Sequence, residues 1–477
     1  MTTQTLSPPA INPPAQSSRN HAGELAARLD RLPATRSTWT LVLLLSLGAF
    51  FEFYELFSTA YVLPGIIKSG VLNATTEGFI ALDGAASYIA ATFLGLLIGV
   101  LAFGSVADRL GRRSVFTVAL LWYSISAVIM AFQQDALGLN FWRLMTGIGL
   151  GVELITIDAY LSELVPARLR GRAFAVNMVI SYLAVPSVAL TAWLLVPHTV
   201  FGLDGWRWVV LIGGAGALVV WLLRLGLPES PRWLASHGRL AEAEAVVERL
   251  EQKARQNSGA ALPAPAPAAP VVTNERASFA EIWRPPYRRR TVMLMIFHAA
   301  QAIGLYGFSH WMPTFLVQRG VGLSSSLEYG LVISCVAPVG PLLAVMFADR
   351  VERKWLIVVS AVVMAVAGFV FMQLHSRAAI LITGALLTLG GTLISLGFHA
   401  YQAELYPTRS RARAIGFVYS ISRISGALSG FLIAACLKHA GVPGALSLII
   451  GCMLLVALSI GLLGPRTAGR SLEEISQ

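Results

Sequence analysis

From Trp39 onward the chain alternates blocks of about twenty apolar residues with short charged turns. Each block is long enough to cross a hydrocarbon core of ~30 Å as a helix. The pattern predicts twelve spans, at 39–63, 84–106, 115–133, 140–163, 174–196, 206–226, 291–316, 327–347, 356–374, 379–402, 414–437 and 444–463. An even number puts both termini on one side. Lys68, Arg207, Arg319, Arg377 and Lys438 fall on the opposite side, and Arg143 and Arg423 lie within spans. The rest of the 36 Lys and Arg residues sit in the termini, in alternate loops or, as Arg224 does, at the end of a span on that same side. Cations mark the cytoplasmic side, so the reading is a multi-pass protein of the cell (inner or plasma) membrane with both termini cytoplasmic.

Composition narrows the class further. Of 477 residues, 56% are hydrophobic and 13% charged, where a soluble chain carries roughly 25% charged residues. The net charge of +11 follows the loop asymmetry, so it reports topology and not a nucleic-acid partner. Cys335, Cys436 and Cys452 have no metal-type spacing, and the glycine run at 147–151 lies inside a span. No cofactor, metal or nucleotide is expected, and no enzymatic activity.

An internal repeat organises the chain. "VADRLGRRS" (106–114) returns as "FADRVERKW" (347–355), and "AYLSELVPARLRGRA" (159–173) as "AYQAELYPTRSRARA" (400–414), both at one offset. The chain therefore reads as two homologous six-helix bundles, a construction that transporters use to alternate access about a central site. The segments are a tail at 1–38, a first bundle at 39–226, a central loop at 227–290, a second bundle at 291–464 and a tail at 465–477. Within the loop, "LAEAEAVVERLEQKA" (240–254) predicts an amphipathic helix, and the Ala/Pro stretch after it a semi-rigid spacer.

These stretches resemble a known family. "GSVADRLGRR" (104–113) and "RLMTGIGLG" (143–151) resemble loop and fourth-span motifs of the major facilitator superfamily. "YLSELVPARLRG" (160–171), "PESPRWL" (228–234) and "PRTAGRSLEE" (465–474) resemble the sugar-porter signatures, which branches for aromatic acids and other metabolites share. The resemblance implies the all-α major facilitator fold with twelve transmembrane helices, and secondary transport of a small molecule by a monomer. Four positions depart from the sugar-porter pattern. Glu352 stands where the motif has Gly, Arg466 where it has Glu, and Asp158 where it has Pro. The seventh span keeps Gln301 but lacks the paired glutamines that bind sugar.

Glu52 and Glu55 lie in the first span, about 4.5 Å apart along the helix and on one face. Two carboxylates that close do not both stay ionised in a low-dielectric cavity, so one is suited to load and release a proton. Aligned by the resemblance, Glu55 takes the place of the first-span Asp of proton-coupled sugar porters and Arg143 that of its partner. Read from position alone, Arg143 could instead snorkel to the outer surface. Glu153 and Asp158 complete the candidate proton-coupling set, with structural pairing as their other reading. Candidate substrate contacts are Gln301, Tyr306, Trp311, His399, Tyr54 and Asn177, against simple helix packing. Asp108, Arg109, Arg112, Arg113, Glu163, Arg170, Arg172 and Glu229 in the first half, with Asp349, Arg353, Glu404 and Arg411 in the second, are read as a cytoplasmic gate. The alternation of acids with bases is what the positive-inside rule alone does not ask for. Together these point to proton-coupled symport of a small organic or aromatic acid. Sugar or polyol symport, passive facilitation and, further off, a membrane sensor are the alternatives.

Overall fold

The computed structural model describes residues 16–74, 78–258, 261–265, 279–347, 351–374 and 376–467. The first bundle comprises α2 (Arg36–Lys68), α3 (Ala85–Leu110), α4 (Arg112–Met130), α5 (Ala136–Leu164), α6 (Ala167–Leu195) and α7 (Gly205–Arg224). The second comprises α10 (Tyr287–Gln318), the broken pair α11 (Leu323–Ser334) and α12 (Val339–Phe347), α13 (Arg353–Gln373), α14 (Arg377–Glu404) and α15 (Thr408–Leu463). At 56 residues α15 is too long for one crossing. Gly441, at φ 63°, followed by Pro443, breaks it into two. Counted so, the fold has twelve crossings in two bundles. Side-chain oxygens cap the helix starts where the chain turns: Thr35 accepts from Thr38 N, Asp135 from Gly138 N and Ser376 from Ala379 N. Leu94, Ile98, Leu101, Val118 and Trp122 stay exposed on the bundle surface, as a chain solvated by lipid requires.

Close helix approach is built from glycine. A Cβ on Gly95 of α3 would lie 2.7 Å from Gly147 Cα of α5, and one on Gly99 3.1 Å from Gly151 Cα. The two spans thus touch backbone to backbone. A similar contact joins the bundles at the face opposite the termini. A Cβ on Gly430 of α15 would lie 2.8 Å from Ala86 O and 3.2 Å from Ile89 Cβ of α3. Phe93 packs on Tyr306 (4.6 Å between centroids) and Phe57 on His310 (6.4 Å), and the Tyr61 hydroxyl donates to Gly330 O at 3.5 Å. Among the described residues no ion pair joins the two bundles. Gly430→Val is expected to wedge α3 from α15. Overpacking costs about 1–3 kcal/mol, enough to shift the closed-to-open ratio of this face about tenfold or more. Distances between spin labels on the adjoining ends of α3 and α15 should lengthen.

Residues 16–30 of the expected N-terminal tail form a helix, α1 (Gln16–Asp30), which docks on α8 (Pro231–Ser236) and α9 (Leu240–Ser258) of the central loop. Arg28 holds Glu251 through two hydrogen bonds of 2.9 and 3.2 Å, and Arg31 adds a third at 2.6 Å. Burial opposes ionisation of Glu251, but those hydrogen bonds outweigh it and hold the carboxyl below its ordinary value. The contribution of this pair to docking is therefore present at neutral pH and lost as pH falls through that lowered value. At the end of α1, Asp30 Oδ1 accepts from Ala167 N at the start of α6 (2.9 Å) and pairs with Arg232 (2.8 Å) and Arg170 (3.5 Å).

Candidate functional site

Arg143 has 0% of its surface exposed, so it does not snorkel. Its position on α5 behind the glycine contact points it at α2 and α3. Nη1 donates to Glu55 Oε2 at 3.2 Å, Nε to Thr92 Oγ1 at 2.8 Å, and Nη2 to Glu55 O at 2.9 Å and to Thr59. The guanidinium also lies over Tyr88, 4.8 Å from the ring centre. Glu55 is equally enclosed, and its Oε1 has no hydrogen-bond partner. The cost of burying this pair is offset by the four acceptors that α2 and α3 offer the guanidinium, the condition under which a buried ion pair is tolerated.

Glu52 looks elsewhere. One turn along α2 from Glu55, it faces Glu153, Asp158, Arg423 and Arg224, and its buried Oε1 has no partner. The two first-span acids therefore belong to separate clusters, which corrects the expectation of a coupled Glu52/Glu55 pair. Each follows the charges it meets: Arg143 of α5 for Glu55, whose Oε1 also lies against Gly213 of α7, and Glu153 and Asp158 of α5 with Arg423 of α15 and Arg224 of α7 for Glu52.

Glu153 is held in its own pair. Arg224, the last residue of α7, donates to Glu153 Oε1 at 2.9 Å, to Leu45 O at 3.0 Å and to Leu44 O at 3.2 Å. It lies over Phe116 at 3.8 Å, and both charged groups have 0% exposure. Gly48 makes the room, since a Cβ there would fall on the guanidinium. Asp158, near the terminal end of α5, has an exposed side chain.

Across from Glu52, the second bundle presents an aromatic wall with one cation in it. His298, Phe398, His399 and Tyr419 cluster, with His399 stacked on Phe398 at 4.1 Å and His298 edge-on to Tyr419 at 5.3 Å. His298 Nε2 meets Gln402 Oε1 at 3.1 Å. Arg423 is 3% exposed, bonds the Tyr419 hydroxyl at 3.2 Å, and lies 4.9 Å from that ring. The Tyr306 hydroxyl faces it as well. Among the described residues Arg423 has no ion pair, and its Nε has no hydrogen-bond partner.

Over residues 41–477 the chain matches the family described as sugar (and other) transporter. It belongs to that family. Within this transporter family it is 28% identical over 450 residues to the putative metabolite transport protein YyaJ of Bacillus subtilis (strain 168), covering 94% of this chain and 96% of that one. It is 28% identical over 457 residues to the niacin transporter NiaP of Acinetobacter baylyi, at 95% and 99% coverage. Among solved structures, the xylose transporter XylE from E. coli in a partially occluded inward open conformation aligns with a TM-score of 0.74. That alignment has 17% identity and covers 91% of this chain and 99% of that one. The protein is thus a multi-pass membrane transporter with the major facilitator fold, and not an enzyme.

In this transporter the candidate gate is built twice. Arg112 Nε meets Glu163 at 3.3 Å, and Arg353 meets Glu404 at 2.6 Å. Arg170 Nε donates to Val165 O at 3.3 Å and Arg411 Nε to Tyr406 O at 3.2 Å. Tyr160 donates to Pro228 O, and Tyr401 to Pro465 O at 2.8 Å. The acid that ties the strand after each bundle is placed differently in the two halves. Glu229 Oε1 accepts from Arg112 N and Arg113 N at 3.0 and 3.1 Å beside Gly111. In the second half Glu352 itself, at the position of Gly111, accepts from Thr467 N at 2.9 Å. Arg109, Arg113 and Arg172 are exposed. The Asp108 side chain, and Asp349 altogether, lie outside the described residues.

The candidate substrate contacts divide. Tyr306 and His399 stand at the aromatic wall, and Gln301 is buried on the same helix as Tyr306. Asn177 is buried on α6 with its Oδ1 unpartnered. Tyr54 does not line the passage. Its hydroxyl is taken up by Thr191 Oγ1 (2.8 Å) and Val209 O (3.2 Å) inside the first bundle. Trp311 is likewise core, fully buried and 6.4 Å from Phe315. Arg224 and Arg423 were the residues the sequence hid. Arg224 sits where a topological cation is expected, and Arg423 was placed within a span without a role in the site.

Proposed function

We propose that this transporter is a proton-coupled symporter of small organic acids, aromatic carboxylates foremost, acting as a monomer in the plasma membrane with both termini cytoplasmic. The observation that carries the reading is Arg423: a buried cation with no ion pair among the described residues, set in an aromatic wall and faced by Glu52. A buried guanidinium wants a carboxylate, which it binds in fork geometry. In the arrangement described, Glu52 is the resident anion that faces it; a substrate carboxylate takes that place, with its ring against Phe398, Tyr419 and the flanking histidines. The name of the niacin relative, whose substrate is an aromatic carboxylate, supports this choice.

The proton is assigned to Glu55. Ionised, it holds Arg143; protonated, it gives up the charge that fixes α5 to α2, and the bundles can rock. The glycine contact of α3 with α15 closes the outer face, and the gate clusters, each paired within its own bundle here, meet each other when the cytoplasmic face closes. One proton with one monocarboxylate moves no net charge, so a pH gradient alone drives uptake.

The test is a binding screen of the purified chain against aromatic acids, aliphatic acids, sugars and polyols, repeated with Arg423→Gln and Glu52→Gln. An aromatic acid should bind the wild type. Arg423→Gln should weaken it by about 3 kcal/mol, roughly a hundredfold, while Glu52→Gln should tighten it by removing the competing anion. Binding of sugars or polyols alone, or anion binding indifferent to Arg423, overturns the reading.

A further inference from the structure

At the face that carries the termini, a cavity of about 720 Å³ opens between the start of α2, the outer side of α9 and the Gly226–Pro228 link. Arg36, Arg113, Arg249 and Lys253 line it, and no carboxylate does. All four are exposed, and among the described residues none of them forms an ion pair. The floor is apolar, made by Leu41 and Leu44 of α2, and Leu43, between them in the chain, is 47% exposed on the bundle surface.

The charge separation on α9 explains how the cavity stays basic. Glu244 and Glu251 are turned to α1, where Arg28 and Arg31 hold them. Arg249 and Lys253, four residues apart and so on one face, are left to the cavity. Four cations about one hollow repel one another, and an anion between them removes that cost.

We propose that this cavity binds the phosphate headgroup of an anionic phospholipid, with the acyl chains lying along α2. Basic pockets between membrane helices suit such headgroups. A soluble phosphate would meet the same cations but leave the apolar floor and the exposed span beside it uncovered, which favours the lipid. The inference needs only that the chain spans a bilayer; it is independent of the substrate assignment. Once bound, the headgroup ties α9 to α2 across the link that leads to Glu229.

The full-length protein in nanodiscs or mixed micelles is titrated with phosphatidylglycerol, with phosphatidylcholine and with glycerol 3-phosphate, reading retained lipid by native mass spectrometry and thermal stability in parallel. Phosphatidylglycerol should be retained over phosphatidylcholine. The double variant Arg249→Gln, Lys253→Gln should bind it roughly thirtyfold more weakly, at about fivefold per cation. Both positions are exposed, so the variant folds; Arg36→Gln gives an independent single-site loss. Equal retention of the two lipids, a double variant that binds as the wild type does, or glycerol 3-phosphate that stabilises as strongly as the lipid overturns the proposal.

Discussion

Substrate accumulation driven by a pH gradient is expected to collapse to the equilibrium level in Glu55→Gln, while counterflow exchange of substrate persists. Glutamine keeps the size of Glu55 and still accepts a hydrogen bond from Arg143 Nη1, which lies 3.2 Å from Oε2 in the parent. What it cannot do is change charge. The Arg143 guanidinium keeps its bonds to Thr92, Thr59 and the Glu55 carbonyl, so the bundle retains its structure while the switch is fixed in the proton-loaded form. An electroneutral symporter concentrates its substrate at most about tenfold per unit of pH gradient, and this ratio should fall to one. Proteoliposomes with an imposed gradient give the measurement. Full accumulation by the variant would remove Glu55 from the coupling scheme, whereas loss of both accumulation and exchange would mean that the pair is structural.

The second large effect is on stability. Arg224→Ala is expected to cost about 3–5 kcal/mol, because it strands the Glu153 carboxylate in a site with no exposure. It also releases the carbonyls of Leu44 and Leu45 and leaves the Phe116 face uncovered. Glu153→Gln alone should cost less, since the amide still accepts from Arg224. The double variant should regain part of the loss, because the stranded charge is gone. Thermal unfolding in detergent, followed by size-exclusion chromatography, orders the three. A single variant Arg224→Ala as stable as the parent would show that Glu153 is carried neutral and that the pair contributes little.

Both results bear on what could be read from the chain alone. Depth was legible: apolar block length placed the spans, and the repeat put Arg112 and Glu163 in one charged cluster and Arg353 and Glu404 in its counterpart, without naming the pairs that the structure forms. Azimuth was not. Helical spacing put Glu52 and Glu55 on one face, but sixty degrees of rotation was enough to pair one with Arg143 and to leave the other facing Glu153, Asp158, Arg423 and Arg224. Arg224 sits at a span end, where a cation satisfies the positive-inside rule; only Gly48 of another helix reveals that its side chain turns inward. The bonds of Tyr54 inside the first bundle were hidden for the same reason, its partners Thr191 and Val209 being remote in sequence. The docking of α1 was hidden differently. A polar segment gives no membrane signal, and the acids that fix it lie more than two hundred residues away.

The acid after each bundle carries a consequence for how the halves diverge. In the first half the carboxylate comes from Glu229, and Gly111 opposite it has φ +96° with no room for a side chain. In the second half the carboxylate has moved to the helix side, at Glu352, whose φ of −59° suits any residue, and the strand carries Arg466 instead. The fastening is conserved while its donor and acceptor have traded sides. Two halves of one ancestry thus present opposite mutational landscapes at matching positions: position 111 is closed to change by geometry, and position 352 only by the loss of its charge. Letter-by-letter matching scores the second half as eroded, although the segment after the bundle is still pinned by a carboxylate to backbone amide, two amides in the first half and one in the second.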